Sequence, residues 1–172
     1  NLETRSMFPN MFKGWFKGTA SNYNAFVSAL VKGDVEAMNE YMNDVALTTI
    51  SSFDVGMHQS EKAHPERFYH GFVLGLMVEQ AESYEIRSNR ESGFGRYDIM
   101  MIPKKNNLPA IVIEFKVYNP RSEQTLEDTV RVALKQIEEK SYDTELIARG
   151  IEKDRIRHYG FAFEGKRVLI GE

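Results

Sequence analysis

The sequence predicts a mixed α/β domain in which helices pack on a central sheet. Apolar residues recur at helical spacing as far as Glu82, and beyond it the period becomes extended. From residue 65 the predicted order is α-β-β-β-α-β-β, preceded by an N-terminal helical region. The composition agrees with a packed core: of 172 residues, 42% are hydrophobic and 27% charged, which excludes a disordered or collagen-like chain. A chain of this size buries roughly 70% of its unfolded surface without covalent staples.

The N-terminal elements follow from apolar spacing. Met7, Phe8, Met11, Phe12, Trp15 and Phe16 form a first helical stripe, broken at Gly18–Asn22. Tyr23, Phe26, Val27 and Leu30 form a second, stopped by Gly33. Asp34 is the N-cap of a third helix carrying Val35, Met38, Tyr41, Met42 and Val45. After the polar stretch Asp54–His64, Pro65 occupies the first turn of a fourth helix with Phe68, Phe72, Leu76 and Met77 on its stripe.

The strands come next. Tyr84–Arg90 and Arg96–Ile102 are the first two, and the polar turn Pro103–Pro109 leads into Ala110–Tyr118 with its run Ile111, Val112, Ile113. Ser122–Tyr142 reads as a long amphipathic helix and Leu146–Gly150 as a short one. Tyr159–Phe163 and Val168–Ile170 close the chain as a hairpin around Gly165.

Charge and composition narrow the function. The formal net charge is -3, with 6 basic against 10 acidic side chains in residues 1–83 and 16 against 15 in residues 84–172. Nucleic acid is therefore a poor partner for the first half, whereas the second half carries local basic clusters. The absence of cysteine excludes disulfides, thiolate zinc sites and a cysteine nucleophile, and is easiest to reconcile with a cytoplasmic protein. No apolar run approaches the ~18 residues of a membrane span, and no signal peptide is visible. No phosphate-binding G-x-x-x-x-G-K-[ST] string occurs. The first residue is Asn1 rather than Met, as expected of a piece excised from a longer protein.

The chemistry is carried by two strands that look interior yet hold charge in their middles. Glu114 and Lys116 are two apart, so they share a face with Ala110 and Val112. Buried charges are costly unless paired or metal-bound. A hairpin centred on Asn106 sets Asp98 directly opposite Glu114. Two carboxylates that close repel unless a cation lies between them. With no His or Cys in these strands, a hard divalent ion with oxygen ligands fits better than zinc. The structural alternative is an ion pair on an exposed strand face. A register shift of one residue would also turn Asp98 away.

Asp98, a hairpin and then Glu114-Phe115-Lys116 resemble the signature of the PD-(D/E)XK nuclease superfamily, although Tyr97 stands where its name has proline. More narrowly, five strings resemble one bacterial subfamily in which a nuclease-like module follows an AAA-type ATPase-like domain. They are Tyr69-His70-Gly71-Phe72, Ser88-Asn89-Arg90-Glu91-Ser92-Gly93, Gly95-Arg96-Tyr97-Asp98, Glu114-Phe115-Lys116 and Gln136-Ile137-Glu138-Glu139-Lys140. The resemblance implies a restriction-endonuclease-like core, α-β-β-β-α-β, over residues 61–172. Residues 1–60 would be a helical region connecting it to the ATPase-like domain of the same longer chain.

The resemblance also implies roles. Asp98 and Glu114 would hold Mg²⁺, or Mn²⁺, with the backbone carbonyl of Phe115 as a further ligand. Lys116 would assist the attacking water and stabilise charge at the phosphate. Glu66 is either an additional metal-site carboxylate or a first-turn acid favoured by the helix dipole. Gln136 would face the site from the long helix; Tyr142, six residues on, need not share its face. His70, one turn after Glu66, either reaches the same pocket or is a satisfied boundary histidine. Arg87, Arg90, Arg96 and Lys135 are the candidate contacts to nucleic acid, and Lys153, Arg155 and Arg157 read as a solvated face. The expected function is a Mg²⁺-dependent nuclease acting on DNA. Its alternative is a catalytically silent module that binds nucleic acid or a protein partner.

Overall fold

A computed structural model of the chain describes residues 23–53 and 65–172, with the side chains of residues 23–24, 48–53, 65–68 and 78–79 left outside the description. The expected helix at Met7–Phe16 and the polar stretch Asp54–His64 lie outside the described residues. Helix α1, Tyr23–Lys32, ends at Gly33, whose φ of +80° is a conformation that suits glycine. Asp34 then caps α2, Val35–Phe53, its Oδ1 accepting the Ala37 N–H at 3.1 Å. Helix α3, Pro65–Met77, runs into a 3-10 turn at Val78–Glu82.

Five strands follow: β1 Tyr84–Ser92, β2 Gly95–Pro103, β3 Ala110–Val117, β4 Ile156–Glu164 and β5 Arg167–Gly171. They form one sheet in the order β1-β2-β3-β4-β5. Neighbours are antiparallel except β3 and β4, which run parallel. A parallel pair needs a crossover, and here α4, Leu126–Glu139, and α5, Thr144–Ala148, provide it. The element order from residue 65 is thus the one the sequence predicts. The central strand β3 is buried from Ala110 to Phe115, as a strand covered on both faces must be.

The two faces have separate cores. Ile99, Met101, Ile111, Ile113, Phe115, Phe161 and Phe163 pack against α1, α2 and α3 through residues such as Leu30, Met38, Met42 and Val73. Met100, Ile102, Ala110 and Val112 pack instead against Ile137, Tyr142 and Leu146. Helices α1 and α2 therefore share one apolar cluster with the sheet. Helix α2 also covers the outer edge of β5. The side chain of Asn39 exchanges bonds of 2.9 and 2.8 Å with the Ile170 carbonyl and N–H, and that of Asn43 does so with Val168 at 2.8 and 3.0 Å. Two amides in the helix thus occupy backbone groups that an open edge would offer to another strand.

Helix α4 is shorter than the expected Ser122–Tyr142 at both ends. Its start is fixed by Thr125, whose hydroxyl accepts the Asp128 N–H while Asp128 Oδ2 accepts the Thr125 N–H at 2.9 Å. At the other end Ser141, with φ of +51°, turns the chain away from the helix axis. Replacing Thr125 with Ala is expected to cost about 1 kcal/mol of stability. Urea unfolding should show a lower midpoint with an unchanged slope.

Candidate active site

The site begins where β2 and β3 stop pairing. Their ladder joins Met101 to Ile111, Met100 to Val112 and Ile99 to Ile113, the register of a hairpin centred on Asn106. One step further the register would set Asp98 against Glu114, but the ladder has ended. The N–H of Phe115 bonds at 2.8 Å to Oδ2 of Asp98. A side-chain carboxylate thus takes the place of a ladder acceptor, and Asp98 is held in the opening between the strands.

A local kink puts it there. Ile99 and Met101 belong to the core under α1–α3, yet Tyr97 joins Met100 and Ile102 in the core under α4. Strict alternation would put Tyr97 with Ile99, so the pleat is broken at Asp98. Across on β1, Ser88 pairs with Ile99 and Arg90 with Tyr97, while Asn89 between them is skipped and has φ of +53°. Asn tolerates this left-handed conformation better than most residues. Interruptions of this kind re-aim side chains, and they cluster beside functional sites. Strict alternation does not foresee the kink. Its signal in the sequence is Asn89, a residue type depleted in strands, next to the end of the predicted strand Tyr84–Arg90.

Glu114 lies beside this opening on the neighbouring strand, only 2% exposed. Lys116 Nζ meets its Oε1 at 2.7 Å, and the Gln136 amide donates to the same oxygen. Lys116 itself remains about 29% exposed, so its ammonium links the buried carboxylate to solvent. Gln136 lies 3.0 Å from the Tyr142 hydroxyl, which donates at 2.7 Å to the Arg96 carbonyl. Burial raises the Tyr142 phenol pKa, opposed by its bond to Gln136, so the group stays a neutral donor. Tyr142 therefore does meet Gln136. The helix ends before it, and the turn at Ser141 brings the ring back over the site.

The remaining sequence candidates are dispersed around this centre. Glu66 is in the first turn of α3, with its side chain outside the described set. His70 is half-buried; its ring stacks on Phe115 with centroids 5.3 Å apart, and its Nε2 lies 2.9 Å from Ser88 Oγ. Arg87 is committed within the protein. It pairs with Glu145 and, at 2.6 Å, with Glu85, while Arg149 bridges the same two acids. The Arg87 bond, then Arg149, holds the Glu85 carboxyl below the usual range. Arg90 and Arg96 are exposed beside the kink, and Lys135 lies on α4 within 3.3 Å of Glu139. Arg155 bonds the carbonyls of Asn106 and Leu108, and Arg157 bonds Glu172 and the Lys32 carbonyl, so both serve the fold. His158 is paired with Asp143 at 2.8 Å.

Among the described residues no three His, Asp or Glu side chains gather into a cage for a metal. A magnesium-like ion needs no such cage, because it keeps waters and substrate phosphates and takes only one or two protein carboxylates. Asp98 and Glu114, flanking the Phe115 main chain and free of nitrogen or sulfur donors, form a donor set of that hard type. A family description supplies the decisive observation: residues 64–172 match the PD-(D/E)XK nuclease superfamily. The chain belongs to that superfamily. The match covers the sheet together with α3, α4 and α5, and leaves α1 and α2 outside it. PD-(D/E)XK members are generally nucleases and usually use divalent metals. A search of the curated proteins finds no match. Among the described residues, no helix of this PD-(D/E)XK chain is long and apolar enough to cross a membrane.

Proposed function

We propose that the chain is a metal-dependent nuclease hydrolysing phosphodiester bonds in DNA. The supporting observation is the convergence of Lys116 and Gln136 on one oxygen of buried Glu114, beside the opening that holds Asp98. A folded core gains little from such a set, since breaking even with a hydrophobic replacement is the usual outcome for a buried ion pair. In this reading Asp98, Glu114 and the Phe115 carbonyl hold Mg²⁺ or Mn²⁺. Such an ion, when bound, lowers the pKa of water and polarises a phosphoryl oxygen. Lys116 presents a compact positive charge to the reacting phosphate, and Gln136 fixes the Glu114 carboxylate from the helix side. Glu66 is a further candidate ligand. Arg90, Arg96 and Lys135 supply phosphate contacts, with Arg87 bracing β1 behind them. In the cell the module would follow an AAA-type ATPase-like domain of the same bacterial, cytoplasmic protein, the arrangement its sequence strings resemble.

The direct test is cleavage of supercoiled, linear and branched DNA by the 172-residue chain with Mg²⁺ or Mn²⁺, abolished by EDTA. Binding of metal should also raise the melting temperature, because a ligand at a hundred times its dissociation constant adds about 2.7 kcal/mol of stability. Asp98→Asn and Glu114→Gln should remove that rise. A metal-independent melting curve together with intact DNA would overturn the proposal.

The second reading, a silent module that binds nucleic acid or a protein, draws on the acidic first half and a pI near 5.9. Calorimetry separates the two. Tight DNA or protein binding without millimolar uptake of Mg²⁺ or Mn²⁺ favours the silent module.

A further inference from the structure

Among the described large apolar side chains, Phe94 is the most exposed, at 81%, followed by Leu47 at 58%. A single apolar residue in solvent is ordinary and by itself carries no meaning. Three features set this one apart.

Its backbone is fixed. Phe94 sits at the tip of the β1–β2 hairpin, and its N–H bonds to the Lys140 carbonyl at 2.7 Å. The buried hydroxyl of Ser92 bonds to the Tyr142 carbonyl at 2.7 Å. Gly93, with φ of +59°, lies so close that an added Cβ would fall 2.1 Å from the Lys140 oxygen. The tip is thus clamped to the chain that leaves α4, while the ring stands out in water.

The tip is also joined to the candidate active site. Tyr142 holds Ser92 through its carbonyl and the Arg96 carbonyl through its hydroxyl, and its hydroxyl lies 3.0 Å from the Gln136 amide that donates to Glu114. Finally, the strands below the tip carry exposed Arg90 and Arg96, and Lys140 is exposed at its base. Of the acids nearby, Glu91 faces Arg96 in the register, and exposed Glu138 and Glu139 precede Lys140 in the chain.

A rigid aromatic ring flanked by cations suits a strand of nucleic acid, whose phosphates meet the cations while a base stacks on the ring. We propose that Phe94 is a base-stacking residue that holds an unpaired nucleotide of the substrate beside the Asp98–Glu114 site. The proposal rests on the nuclease reading above and adds a substrate feature to it: an exposed base face, as in single strands, frayed ends or branch points.

The test uses a single-stranded oligonucleotide containing 2-aminopurine, with EDTA present so that nothing is cut. The parent should bind it and change its fluorescence. Phe94→Ala should bind about tenfold more weakly, the scale of one lost stacking contact, with the fluorescence change gone. Phe94→Trp should bind as the parent does. Both variants should melt at the parental temperature, because the ring contributes no burial. Equal binding by Phe94→Ala overturns this proposal, and if the parent still cleaves DNA the nuclease reading stands. Absence of any binding or cleavage by the parent overturns both. Loss of self-association in Phe94→Ala with DNA binding unchanged assigns the ring to a protein contact and overturns base stacking.

Discussion

Replacing Lys116 with Ala is expected to lower Mg²⁺-dependent DNA cleavage by a factor on the order of 10²–10³, the usual loss when one preorganised stabilising group is removed from an active site. The ammonium lies 2.7 Å from Glu114 and is about 29% exposed, so it has one side fixed and one side open to a substrate. Lys116→Arg should rescue little. A planar guanidinium would pair with the carboxylate through a fork and present a different, delocalised charge. Asp98→Asn and Glu114→Gln should be at least as damaging, since each removes a charged ligand while leaving the shape of the side chain. Stability should separate the two kinds of variant. Lys116→Ala strips the cation from a carboxylate that is 2% exposed, which is destabilising, although Gln136 still donates to it and solvent reaches the vacated position. Asp98→Asn keeps an acceptor for the Phe115 N–H and should fold normally. Single-turnover cleavage and thermal melting measured on the same preparations decide the matter. Parental cleavage by Asp98→Asn or Lys116→Ala would sink the assignment.

How far this site could be read in advance depends on which interactions are local. The pairing of Glu114 with Lys116 needs only the two-residue period of a strand. The β2–β3 register needs only a short hairpin, and Ile99–Ile113 falls where a turn centred on Asn106 puts it. The kink at Asp98 is not legible as geometry, because it depends on Asn89 in the neighbouring strand β1 and on Tyr97 finding space under α4. The contact of Tyr142 with Gln136 is hidden from local pattern for a related reason. Helical periodicity cannot tell that Ser141 turns the chain, so a residue six positions from Gln136 looked a turn and a half away, when its hydroxyl is 3.0 Å off. Arg87 shows the converse limit. Its place in a basic cluster is visible in the sequence, but its acids come from Glu85 and, 58 positions away, Glu145. Local pattern thus reveals the charged residues and their faces, whereas long-range packing decides which of them are already committed.

Gly160→Val is the substitution expected to damage the site most without touching a charged group. In the parallel register Gly160 lies next to Glu114, under α4. A Cβ at this position would come 2.8 Å from the Val130 carbonyl, 3.1 Å from Ala133 Cβ and 3.3 Å from Leu134 Cγ. The first of these is helix backbone, so no rotamer change relieves it and the helix itself must move. Overpacking of this kind costs typically 1–3 kcal/mol. Its catalytic cost should be larger than that figure suggests. Gln136 stands one turn after Ala133 on the same helix, and its amide donates to Glu114 from a helix packed closely on bare glycine. A displacement near 1 Å can cost about 10²-fold in rate when it spoils the positioning of a reacting group. A double-mutant comparison tests whether Gly160 acts through Gln136. If the two share one interaction, Gly160→Val combined with Gln136→Ala should cleave no more slowly than Gly160→Val alone, whereas independent effects would multiply. Multiplication would mean that the glycine serves only the packing of α4, and that Gln136 holds the Glu114 carboxylate without its help.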